Sequence, residues 1–262
     1  MQTNKTKYKQ RIVIKVGTNV MTNRDNRIVR PVLDRLVKQI AELYERDIIT
    51  VLVSSGSVIA GMEVLGHSDI KDKASRRQVY SAIGQPRMMR LYYNIFHDYG
   101  MKCAQVLPTK NDFDPGEHRR NMQNCYENLL AEGVIPIANE DDTVSLSHAM
   151  FSDNDELASL IAEMIDADKL IILTDIDGLY DGHPDADDSS LVGEVGINEN
   201  VNHFISDSNK GEAEGRGGML SKLNYAKQTA AKNIPTIIAN GKSENTIIDI
   251  IDGKAVGTKV EI

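Results

Sequence analysis

The chain has 262 residues, 41% of them apolar, and a formal net charge of −8; this suits one large α/β domain or two small ones with a full core. The acidic balance argues against general binding to nucleic acid or to an anionic membrane surface. No run of 18 apolar residues offers a membrane span, and the polar, lysine-rich Met1 to Gln10 lacks the apolar segment of a secretory signal. Two cysteines, Cys103 and Cys125, fit a reducing, cytoplasmic setting better than a disulfide framework.

The elements alternate along the chain. Arg11 to Val16 (RIVIKV) reads as a buried strand ending at Gly17, and Pro31 to Glu45 has helical spacing with proline suited to the first turn. Ile48 to Val53 (IITVLV) is continuous and β-branched, as in a strand covered on both faces. Ser57 to Leu65 predicts a short helix, and Ala74 to Tyr99 a long one interrupted near Gly84 and Pro86. Lys102 to Leu107 predicts a strand, His118 to Ala131 a helix, and Val134 to Ala138 a strand despite Pro136. Asp155 to Ala167 predicts a helix and Leu170 to Leu173 (LIIL) a strand. Asp181 to Gly217, rich in Asp, Gly, Ser and Asn, reads as an excursion holding small strands or a mobile lid. Its acidic run, Asp181 to Asp188, lacks the spacing of a calcium loop and reads as a solvated face. Met219 to Asn233 predicts a helix, Pro235 to Ala239 a strand, Thr246 to Asp252 a short helix and Thr258 to Ile262 a last strand. This alternation predicts an α/β fold: a three-layer αβα sandwich around a mostly parallel sheet, with ligands at the carboxyl ends of the strands.

The loops at those ends are therefore where chemistry is sought. They read Lys15-Val16-Gly17-Thr18-Asn19, Ser54-Ser55-Gly56-Ser57, Asn139-Glu140-Asp141-Asp142 and Thr174-Asp175-Ile176-Asp177-Gly178. A Gly-rich stretch, Gly215 to Lys222, opens the helix after the excursion. Glycine lets backbone N–H groups approach an anion, and a helix N-terminus adds a favourable dipole, so these are phosphate-cradling turns as well as tight connections. The familiar nucleotide motifs are absent. Gly241-Lys242-Ser243 has Thr236 where a P-loop needs its first glycine, and Leu220 occupies the third glycine position of a dinucleotide fingerprint. No HEXXH or CxxC occurs, so the sequence points to no metal ligand set of its own.

Eight segments in order are IVIKVGTNV (12–20), VSSGSVIAG (53–61), GQPRMMRLY (84–92), QVLPTKNDF (105–113), IPIANEDDTV (135–144), SDNDELASLIA (152–162), LIILTDIDGLY (170–180) and GRGGMLSKL (215–223). Together they resemble the amino acid kinase family, and within it the glutamate 5-kinases, over nearly the whole chain. The resemblance implies a single kinase domain over 1–262, with a substrate lobe to about 165 and a nucleotide lobe over 166–262. It also implies that the PUA domain many relatives carry is missing here.

The implied reaction is ATP plus L-glutamate giving glutamyl 5-phosphate and ADP, the first step toward proline, with Mg2+ arriving on ATP. The carboxylate nucleophile is already ionised at neutral pH, so catalysis reduces to in-line positioning and charge neutralisation. By resemblance Lys15 and Lys222 stabilise the transferring phosphoryl group and Asp155 orients both. Asp155 is also placed to cap its helix beside Asp153. Ser55, Asp142 and Asn154 match glutamate-binding positions, with Asp142 suited to the substrate ammonium. Lys15, Gly17, Thr18, Gly56, Thr174, Asp175 and the run Arg216, Gly217, Gly218, Met219, Leu220, Ser221 and Lys222 match ATP-binding positions, the N–H groups of Gly17, Thr18 and Gly56 cradling phosphate. Ser54, Asp141, Arg216 and Ser221 depart from the usual threonine, asparagine, threonine and threonine. The family also implies a homo-oligomer, dimer or tetramer, and feedback inhibition by proline.

The rival readings are a sister kinase acting on acetylglutamate, carbamate, UMP or isopentenyl phosphate, and a non-catalytic nucleotide sensor. A phosphorylated substrate calls for arginines in the acceptor loops, and these are acidic instead. A sensor is expected to have lost a catalytic lysine, and both are present.

Overall fold

A computed structural model describes residues 8–144, 151, 153–184, 186, 188–201 and 214–262, for 214–217 the backbone alone. Strands β1 (Gln10–Val16), β2 (Ile48–Ser54), β3 (Lys102–Val106), β4 (Val134–Ala138), β5 (Lys169–Thr174), β6 (Glu194–Gly196), β7 (Thr236–Asn240) and β8 (Thr258–Glu261) form one sheet, in the order β3-β4-β2-β1-β5-β7-β8-β6. The pairs from β3 across to β7 are parallel; β7 and β8 run antiparallel. Helices α1 (Thr18–Met21), α2 (Arg30–Glu45), α3 (Ser57–Leu65), α4 (Lys73–Asp98), α5 (Glu117–Ala131), α6 (Asn154–Met164), α7 (Glu214–Ala230) and α8 (Thr246–Ile251) cover both faces. No helix among the described residues is long and apolar enough to cross a membrane.

The central strands are buried on both sides because parallel β–α–β crossovers lay helices on each face. Every residue of β2 is buried, as are Ile12 to Val16 of β1. Pro136 is accommodated inside β4 by its register. That strand pairs with β3 along its length, but meets β2 only at Ile137 and Ala138, past the proline that has no N–H to give.

Three expectations are corrected. The long helix is not interrupted: α4 runs from Lys73 to Asp98 through Gly84 and Pro86, capped by the Asp72 carboxylate on the Ser75 N–H at 2.7 Å. Its packing against α3 holds it together. A Cβ at Gly84 would lie 1.7 Å from the Ser57 carbonyl oxygen, and one at Gly61 would lie 1.8 Å from that of Tyr80, so the two helices cross with their backbones in contact. Helix α6 ends at Met164 rather than Ala167, because Asp166 takes a left-handed φ of 48°. Helix α7 begins at Glu214, so Gly215 to Gly218 lie inside its first turns rather than in a loop before it. The excursion holds β6 and a bridge between Tyr180 and Leu191; residues 202–213 lie outside the described residues.

Candidate active site

The carboxyl ends of β1, β2, β4 and β5 meet the starts of α1, α3 and α6, and the predicted polar residues converge there. Lys15 is the one charged side chain in the buried run of β1, 5% exposed. A buried ammonium needs a partner, and it has one. Its Nζ lies 2.7 Å from Asp155 Oδ1, while Lys222 Nζ, from α7, donates to Asp155 Oδ2 at 2.9 Å. Asp155 is fully buried. Burial alone would push its carboxyl up, but the two ammoniums together hold it below the usual carboxylate range. Burial lowers the pKa of Lys15, and Asp155 opposes that shift only in part.

The capping role falls to Asp153, not to Asp155. Asp153 Oδ1 accepts from the Asp155 and Glu156 N–H groups at 2.8 and 3.1 Å. Its other oxygen accepts from the Ser221 hydroxyl at 2.8 Å. Consecutive residues of α7, Ser221 and Lys222, thus dock on alternate carboxylates at the start of α6.

Around the lysines lies a cavity of about 260 Å³, lined by Lys15, Gly17, Thr18, Asp155, Thr174, Asp175 and Lys222 among others. Thr18 and Asn19 open α1 and have no intrahelical carbonyl for their N–H groups by position. The Gly17 N–H is a correction: it donates to the Leu173 carbonyl at 3.1 Å, extending the β1–β5 ladder, so it is committed before any phosphate arrives. Glycine is not required there: φ is −71° and a Cβ would sit 3.6 Å from Lys15 Nζ, an ordinary contact. The Thr174 hydroxyl donates to Asp175 Oδ1 at 3.3 Å, and Asn19 Nδ2 donates to Asp175 Oδ2 at 3.3 Å. Among the described residues of the predicted Gly-rich run, Lys222 alone lines the cavity. Met219 is a core residue, 7% exposed; Gly218 and Leu220 belong to the body of α7; the side chain of Arg216, with Gly217, lies outside the described residues.

A second cavity of about 250 Å³ adjoins the first and shares Thr18, Ser55, Asp153 and Asn154 with it. It opens on the start of α3, where Gly56 turns the chain from strand to helix at φ 97°, a left-handed conformation that favours glycine. One hydrogen-bonded chain lines it. Asn154 Nδ2 donates to Ser55 Oγ at 2.7 Å and to Asn139 Oδ1 at 2.9 Å, and Asn139 Nδ2 donates to Ser57 Oγ at 3.2 Å. The Ser81 hydroxyl donates to Asp142 Oδ2 at 3.0 Å. Ser55, Asn154 and Asp142 are therefore brought together on one wall.

Asp142 does not wait there as a bare anion. Arg77, from α4, donates from Nε to Asp142 Oδ1 at 2.9 Å, with Nη2 also 2.9 Å away. The carboxylate is 3% exposed and the guanidinium 51%, so the arginine bridges buried charge and open cavity. The acceptor loops carry no arginine, as their sequence says, but the site does. Arg77 enters from a helix, where a reading confined to loops does not look. Ser81 was missed likewise, with the glycines Gly61 and Gly84, spaced to let two helices touch, as the available signal; Ser57 and Asn139 stood in the loops singled out by sequence but without an assigned role.

Among the described residues no three of His, Cys, Asp and Glu gather as a metal ligand set. Asp155 is already engaged by two ammoniums.

Comparison with known proteins gives the same picture. A sequence model of the amino acid kinase family matches residues 10–240. The glutamate 5-kinase of Bacteroides thetaiotaomicron is 42% identical over 241 residues, covering 92% of this chain and 66% of that protein. That of Chlorobaculum tepidum is 39% identical over 251 residues, covering 95% and 68%. The chain thus spans about two thirds of the length of these curated relatives. Among solved structures, T. acidophilum isopentenyl phosphate kinase superposes with a TM-score of 0.68 at 16% identity, over 95% of this chain and 99% of that one. The Giardia lamblia carbamate kinase bound to AMP-PNP gives 0.68 at 18%, over 96% and 98%. These two likenesses carry the fold; the match of the family model across most of the sequence carries the kinship, and the chain belongs to the amino acid kinase family.

Proposed function

We propose that this protein transfers the γ-phosphoryl group of ATP to the side-chain carboxylate of L-glutamate, forming glutamyl 5-phosphate, the first committed intermediate toward proline. The observation that carries the reading is the buried Lys15–Asp155–Lys222 triad lining one of two cavities that adjoin through Thr18, Ser55, Asp153 and Asn154. The relatives named glutamate 5-kinase at 39–42% identity support glutamate as the substrate.

The cavity with the lysines takes the nucleotide phosphates, and the cavity with Asp142 takes the amino acid. The glutamate carboxylate oxygen forms a bond to the γ-phosphorus as the bond from that phosphorus to the β,γ-bridging oxygen breaks. No proton has to be removed from the nucleophile, so no base is required. Lys15 and Lys222 offset charge on the phosphoryl oxygens, and Asp155 keeps both ammoniums aimed and charged. The side-by-side Asp142 and Arg77 complement a zwitterion: the carboxylate faces the ammonium and the guanidinium faces the α-carboxylate. The N-terminus of α3 adds N–H groups to the same wall. Magnesium would arrive with ATP and would offset charge on its phosphates beside Lys15 and Lys222.

We further infer that the segment to about residue 165 forms the amino-acid lobe and the remainder the nucleotide lobe, that Thr174 and Asp175 flank the nucleotide, and that the chain assembles with copies of itself. Proline, a smaller zwitterion, fits the same charge pattern as an inhibitor.

The test is ATP turnover with L-glutamate and magnesium, trapping the acyl phosphate with hydroxylamine. Hydroxamate that requires glutamate and falls roughly 10²–10³-fold in Lys222→Ala supports the reading. Turnover on acetylglutamate or UMP without hydroxamate from glutamate sinks it.

A further inference from the structure

A third cavity, of about 510 Å³, is larger than either of the two at the cleft. It lies at the other end of the sheet: Lys169, on its wall, begins β5, whereas Thr174, at the cleft, ends it. Six residues of strand put about 16 Å between them. The floor is apolar, with Ile237 and Ile250, both 5% exposed, and Val256 beside them.

Lys169, Lys254 and Lys259 also line it. Ile237 pairs with Ile171 on one side and with Lys259 on the other. Cross-strand partners share a face and alternate residues do too, so Lys169 and Lys259 rise from the same face, flanking β7. Lys254 is paired with Asp249 at 2.6 Å and Lys259 with Glu261 at 2.5 Å. Lys169 makes no ion pair with a carboxylate among the described residues. Burial, and then the neighbouring Lys259, lower its pKa, and the Glu261 carboxylate opposes that shift only in part. A half-buried ammonium beside a second ammonium, at the edge of an apolar hollow, is a costly arrangement that a bound anion would relieve.

We propose that this cavity is a second ligand site, separate from the cleft, for a small carboxylate with an apolar body. The carboxylate sits between Lys169 and Lys259 and the body covers Ile237, Ile250 and Val256. The site needs nothing from the proposed reaction, and its test does not depend on turnover of glutamate.

The probe is salicylate, titrated calorimetrically into the full chain with a non-hydrolysable ATP analogue and L-glutamate present to fill the cleft. Salicylamide, of the same shape without the charge, is the control. The expected result is saturable binding of one salicylate, weakened at least 10-fold for salicylamide and at least 10-fold in Lys169→Met, with Lys169→Arg retaining it. Lys259→Gln serves as a second variant should Lys169→Met fail to fold. Turnover of any cleft substrate should be unchanged in both. No saturable salicylate binding, equal binding of salicylamide, or binding indifferent to both substitutions would overturn the proposal and leave three solvated lysines.

Discussion

Replacing Asp155 by asparagine removes one charge and almost no volume from the fully buried centre of the site. In the native protein its two oxygens face Lys15 at 2.7 Å and Lys222 at 2.9 Å. In the variant one side of the amide can still accept, but its NH2 must confront an ammonium, and two partly desolvated cations lose their common anion. Breaking a buried ion pair from one side costs about 3–5 kcal/mol. At about 2–4 °C per kcal/mol for a domain of this size, the midpoint of thermal unfolding should fall by about 6–20 °C. The same change should cut turnover roughly 10²–10³-fold, because the ammoniums lose their aim. Phosphates carry the charge that the variant lacks, so an ATP analogue should raise the midpoint of Asp155→Asn by more than it raises that of the wild type. Thermal scans with and without the analogue, beside steady-state kinetics, read all three quantities. An Asp155→Asn protein as stable as the wild type would refute the reasoning, since it would mean that the lysines need no buried counter-ion.

Other expectations can be tested alongside. Arg77→Met should raise KM for L-glutamate at least 10-fold while leaving KM for 4-aminobutyrate, which keeps the ammonium and the reacting carboxylate but lacks the α-carboxylate, nearly unchanged; equal effects on both would remove the guanidinium from substrate recognition. Gly84→Ala forces a methyl to within 1.7 Å of the Ser57 carbonyl and should cost about 1–3 kcal/mol in urea unfolding, the range for overpacking; an unperturbed midpoint would contradict the backbone contact. Lys15 must stay charged to act, and burial lowers its pKa below the ordinary 10.5, so kcat/KM for ATP should decline with rising pH earlier than an exposed lysine would impose. On the acid side the sign is reversed. Asp155 is depressed in the folded state, so its contribution to stability is complete above the ordinary carboxylate pKa and disappears as pH falls through the lowered one. Asp155→Asn should lack that part of the acid slope.

Much of this was readable from residue order alone. A lysine inside RIVIKV has to be buried or functional, and it is both buried and paired. The β-branched runs at 48–53 and 170–173 became central strands because nothing but a doubly covered sheet hides such segments. What escaped the sequence depends on contacts between distant elements. Gly84 and Pro86 look like breakers by propensity, yet α3 presses on α4 and the helix continues. Arg77 sits in the polar first turns of a helix, indistinguishable from a solvated face until Asp142 is placed beside it. The Gly17 N–H reads as free until β5 supplies the Leu173 carbonyl. Lys169 begins a strand, and only the return of β8 along β7 sets a second lysine across from it.

The crossing of α3 over α4 has a mechanical corollary. With no side chain between the two backbones at Gly61 and Gly84, neither helix can slide without the other, and Ser57, Arg77 and Ser81 keep fixed separations. The wall proposed to hold the amino acid therefore should behave as a single stiff plate. Any opening that admits substrates or releases ADP has to be taken up across the cleft, where α7 is tethered to α6 by Ser221 on Asp153 and Lys222 on Asp155. Both tethers are polar contacts between side chains, so movement across the cleft is expected on the α7 side, not in the α3–α4 plate.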